Sequence, residues 1–129
     1  LVALQFVLNK SLPFLYSSDI LGTMNQVRII VQDLKAGLGH RQHFFEADWS
    51  LPRKHVYTYL TEAKGSDAAE QAFHIFNAPE SMLAEWQRYI AQNYSGPSLS
   101  VGDIVEVDGV EYLCSSIGWQ TRDEALAVA

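Results

Sequence analysis

The chain has 129 residues, of which 48% are hydrophobic and 19% charged, and its net charge is −6. That length and balance predict one globular domain with a sizeable core and argue against wholesale disorder. The single cysteine, Cys114, excludes an intramolecular disulfide and points to a reducing compartment, and no run reaches the roughly 18 apolar residues of a membrane-crossing helix.

Met24 reads as a native start, which leaves residues 1–23 as an N-terminal extension and 24–129 as a single α+β domain. The apolar opening is broken by Lys10 and Pro13 and makes a poor leader. The competing reading makes 2–8 a strand or short helix against the core. Residues 27–32, rich in β-branched side chains, predict a strand. Gly37-Leu38-Gly39 ends it, without the third glycine or the lysine of a phosphate-binding loop. Residues 40–55 read as an irregular excursion, and 56–61 as a second strand.

Two helices are expected next. Over about 67–76, Asp67 and Glu70 form a capping pair, and Ala69, Ala72, Phe73 and Phe76 recur at helical spacing. Over about 78–94, Asn77 and Glu80 repeat the capping pattern around Pro79. The buried face there is Met82 or Leu83, Trp86, Tyr89 or Ile90, and Tyr94, and Gly96-Pro97 stops the helix.

Residues 101–114 predict a β-hairpin turned at Asp108-Gly109. A two-residue Asp-Gly connection favours a type I′ turn, in which both central residues take positive φ. That turn sets the register: Val107 opposite Val110, Glu106 opposite Glu111, Val105 opposite Tyr112, Ile104 opposite Leu113, and Asp103 opposite Cys114. Val105, Val107, Val110 and Tyr112 then share the expected core face. Glu106 and Glu111 face each other on the outside, a like-charge pair costing about 0.5 kcal/mol when solvated. Gly118-Trp119 closes the ordered part, with a short helix or frayed tail from Thr121. The fold class is α+β: a small antiparallel sheet, ending in this hairpin, packed against two helices.

Charge divides unevenly. Residues 1–60 carry four acids and six bases, and residues 61–129 carry eleven acids and three bases. The acidic second half suits a basic protein partner or plain solubility and is poorly suited to tracking a phosphate backbone. Its candidate contact residues are Glu106, Asp108 and Glu111, on an acidic rim that includes Asp103. The alternative is nucleic-acid binding by the basic, aromatic stretch 41–54, with Arg41, Arg53, Lys54 and Trp49 as the residues that would hold phosphate and stack on bases. His40 and His43, followed by Glu46 and Asp48, are the nearest approach to a metal site. They lack a helical ligand motif, and solvated loop histidines are the simpler account. Cys114 in mid-strand reads as a small buried hydrophobe rather than a nucleophile. No cofactor is expected, and no catalytic set emerges.

One resemblance adds to this. The strand at 56–61, the helix ending in Phe76-Asn77, and the stretch from Tyr94-Ser95-Gly96-Pro97 through Leu99-Ser100-Val101-Gly102-Asp103-Ile104-Val105 appear in an order similar to the YodL-like domain of plasmids, phages and integrative elements. The resemblance covers about residues 57–119. It implies a small α+β module carried by mobile genetic elements; with no catalytic set in the sequence, the expected role is a non-enzymatic accessory protein of the cytoplasm that binds a host or element-encoded macromolecule, host defence being one target. It carries no catalytic residues to transfer.

Overall fold

The structure, a computed structural model, describes residues 24–33 and 49–124. Its elements in chain order are β1 (Asn25–Gln32), β2 (Arg53–Thr61), α1 (Gly65–Asn77), a 3₁₀ turn (Glu80–Met82), α2 (Glu85–Asn93), β3 (Ile104–Val107), β4 (Val110–Ser115) and β5 (Gly118–Gln120). The strands form one antiparallel sheet in the order β2-β1-β3-β4-β5. This is the expected α+β class, with β3 as the middle strand and β1 between it and β2.

Alternation along β1 turns Val27, Ile29 and Val31 to the helices, and all three are buried. Val105 and Val107 of β3 and Tyr59 of β2 extend this face, which packs on Ala68, Ala69, Ala72 and Ile75 of α1 and Ile90 of α2. The small alanines let α1 lie close to the sheet. Phe76, Tyr57 and Tyr94 close the β2 end of this layer, with ring centroids 4.5–6.0 Å apart. In β2, Val56 is an extra residue, because Ile29 pairs with Tyr57 and Ile30 with His55. Such a bulge kinks and twists the strand that carries it.

The hairpin register is as expected at every pair from Ile104–Leu113 to Val107–Val110. Asp108 has φ 47° and Gly109 φ 85°, the two positive values a type I′ turn demands. The Cys114 N–H donates to the Asp103 carbonyl at 2.9 Å, which continues the ladder. The expected core face needs correction at its tip. Val110 is exposed because it lies beyond the reach of the helices, and Tyr112 is only half-buried. Ile104 and Leu113, on the opposite face, are buried as well, so the base of the hairpin is apolar on both sides.

Both expected helix starts differ from the structure. Lys64 occupies the N-cap of α1 without a side-chain bond, and Asp67 sits inside the first turn, where a carboxylate still meets the helix dipole favourably. Glu70 turns away and accepts from Trp119 Nε1 at 2.8 Å, tying α1 to β5. Gly65 begins α1 at φ 53°, and a Cβ there would stand 3.3 Å from the Tyr112 hydroxyl, so glycine satisfies both the backbone and the space.

The expected helix 78–94 is interrupted. Pro79 opens a 3₁₀ turn, and Leu83 then leaves helical geometry to enter the core. The helix restarts at Glu85, where Gln87 Oε1 accepts from the Ala84 N–H at 3.0 Å. Asn77 caps neither segment. Its Nδ2 donates to the Leu99 carbonyl at 2.9 Å and its Oδ1 accepts from the Leu99 N–H at 2.7 Å, so one side chain pairs like a strand and pins the segment after α2.

Among the described residues the Tyr59 hydroxyl is buried without a hydrogen-bond partner. A desolvated hydroxyl with no partner costs about 1–3 kcal/mol. Tyr59→Phe is therefore expected to match the wild type or exceed it by about 1 kcal/mol in urea denaturation. A loss of more than 1 kcal/mol would contradict this.

Candidate functional site

The polar residues that looked chemical in the sequence converge on one end of the sheet, and the bonds they make there are structural. β1 ends, β2 begins and β3 is entered at the same place, with the 100–103 turn between them. Asp103 lies at the centre, buried. Its Oδ1 accepts from the Gln32 N–H at 2.9 Å and its Oδ2 from the Ser100 N–H at 2.8 Å. Burial raises its pKa, against the lowering effect of those two N–H groups and of the Arg53 guanidinium. Its charge also adds to burial in pushing the Tyr94 hydroxyl up to about 12.

Arg53 is the cation of this junction. Nε and Nη2 donate to the Gly102 carbonyl at 3.0 and 2.9 Å, and Nη1 donates to the carbonyls of Trp49 and Leu51, both at 3.0 Å. The Asp33 N–H reaches the Pro52 carbonyl at 2.9 Å, which ties the end of β1 to the start of β2. An arginine held by three carbonyls is poorly placed to hold phosphate. Of the other residues expected to contact nucleic acid, Lys54 is exposed, Trp49 lies under Arg122 with 4.5 Å from Cζ to the ring centroid, and Arg41 lies outside the described residues.

The hairpin acids differ from the solvated rim expected of them. Asp108 Oδ1 accepts from the Gln26 N–H at 2.8 Å, and the Asp108 N–H donates to the Gln26 carbonyl at 2.9 Å, so the turn is clipped to the start of β1. Glu106 pairs with Arg28 of β1 at 3.1 Å, with side chains 17% and 37% exposed. Glu111 pairs with Arg122 at 3.0 Å, at 30% and 57%. The like charges are real neighbours, but each has an arginine on its outer side, so the row reads plus, minus, minus, plus across the sheet. Partly exposed pairs of this kind contribute about 0–1 kcal/mol each. An open hollow of about 230 Å³ lies beside the row, lined by Gly109, Val110, Glu111, Thr121, Arg122 and Asp123.

Cys114 is buried, as expected, and burial with the charges of Asp103 and Glu70 pushes its thiol up to about 11. A thiolate about 100-fold scarcer than at an ordinary cysteine makes a poor nucleophile. Native protein at pH 8 is expected to react with iodoacetamide about 100-fold more slowly than the same protein in urea. Equal rates would contradict the burial. The linked stability has a sign: the neutral thiol supports the fold below its ordinary pKa, and this support is lost as pH rises toward 11.

Among the described residues no group of three His, Cys, Asp or Glu side chains is placed to hold a metal ion. His40 and His43, with Glu46 and Asp48, lie outside the described residues. His55 Nε2 lies 2.6 Å from Thr58 Oγ1, a local contact within β2. Among the described residues no helix is long and apolar enough to cross a membrane.

Sequence reasoning joins the second helix to the acidic hairpin as the contact surface but names none of the side chains that the helical layer presents. Asp67 and Glu70 of α1, Glu80 of the 3₁₀ turn and Glu85 of α2 are exposed there, and Met82 is 66% exposed between the last two. The signal was available in the acid count of the second half. The break at Leu83, which turns Met82 outward, was not legible. No family model matches the chain, nor does any curated protein or solved structure.

Proposed function

We propose that this chain is a non-enzymatic accessory protein of a mobile genetic element, YodL-like in character, that acts in the cytoplasm by binding a basic protein partner, with host-defence machinery as the target class. The observation that carries the reading is the charge of the described surface. Between residues 61 and 124 the exposed charged side chains are Glu62, Asp67, Glu70, Glu80, Glu85, Asp108, Asp123 and Glu124 on the acidic side, against Lys64 and Arg122. A surface of one sign steers and selects partners of the other. Met82 supplies an apolar anchor among the carboxylates, and methionine is enriched in interface cores. Asp103 and Cys114 are buried and Arg53 is held by backbone carbonyls, which favours binding over catalysis.

The sequence points to Glu106, Asp108 and Glu111 for the contact. Their bonds to Arg28, Gln26 and Arg122 move the better candidate surface to Glu80, Met82 and Glu85. The test is affinity capture with the tagged protein as bait, comparing wild type with Glu80→Lys/Glu85→Lys. Circular dichroism serves as the check on folding. A basic protein retained by wild type and lost by the folded variant supports the reading, and retention by both overturns the surface assignment. A gel shift with single-stranded DNA at low salt, where electrostatic affinity is greatest, is expected to show no binding. A shift abolished by Lys54→Glu would favour the nucleic-acid reading instead.

A further inference from the structure

We draw no further inference here: the strongest candidate, the open hollow of about 230 Å³ between the hairpin tip and residues 121–123, sets the carboxylates of Glu111 and Asp123 around an arginine that already pairs with one of them, and nothing in the structure points to what would fill it.

Discussion

Replacing Asp103 with alanine is expected to destabilise the domain by about 3 kcal/mol, the largest single effect among its polar residues. The substitution strands two N–H groups, those of Gln32 and Ser100, at a buried position where water cannot replace the carboxylate. It also removes the carboxylate charge that faces Arg53. Each orphaned donor costs about 1–3 kcal/mol, a large part of the 5–15 kcal/mol that holds a typical domain together. The urea midpoint should fall by about 2 M at an ordinary slope. Asp103→Asn should recover only part of the loss, since its amide keeps one acceptor and turns a donor toward the other N–H. The pH dependence follows from the raised pKa. The carboxyl contributes most below its ordinary pKa of 3.8, and part of that is lost as pH rises through its folded value. Asp103→Asn has no such window. A midpoint within 0.3 M of wild type for Asp103→Ala would contradict the assignment.

Arg53→Met comes second, at about 2–3 kcal/mol, because the guanidinium is half-buried and its loss is softened by solvent. Methionine keeps the aliphatic bulk, so the change tests what the guanidinium contributes, the four bonds to backbone carbonyls among it. The carbonyls of Trp49, Leu51 and Gly102 lose them together, and the segment 49–52 is released from the 100–103 turn. Protection of the Asp33 amide against hydrogen exchange should fall with it, since that amide is bonded to Pro52 next door. An arginine serving a surface ligand would leave both stability and exchange unchanged on substitution. The two residues share one network, so their effects should fall short of additive by 0.5 kcal/mol or more.

What was legible in the sequence was what is local. Asp108-Gly109 demands two positive φ values, and that demand sets the whole register of β3 and β4. The apolar stripes of both helices were read correctly in outline for the same reason. What was illegible lay in distant pairings. Nothing in 25–32 says that it lies between β2 and β3, 78 residues from the Glu106 that pairs with Arg28. β5 was missed as a strand because Gly118–Gln120 is too short for an alternating pattern to register. Asp67 and Glu70 matched a capping pair, yet the pull of Trp119 on Glu70 overrode it. Arg53 looked like a surface cation because its partners are backbone carbonyls, which carry no sequence signal. Asn77 was misread likewise, its side chain serving a backbone 22 residues on.

The contact proposed for a basic partner is the acidic helical surface rather than the hairpin. The most direct test is the dissociation constant of the captured partner, measured by calorimetry for wild type, Glu80→Lys/Glu85→Lys and Glu111→Lys at low and physiological salt. A loss of at least tenfold is expected for the helical pair, larger at low salt, with little change for Glu111→Lys. Equal affinity for wild type and the helical pair, or a loss confined to Glu111→Lys, would contradict it.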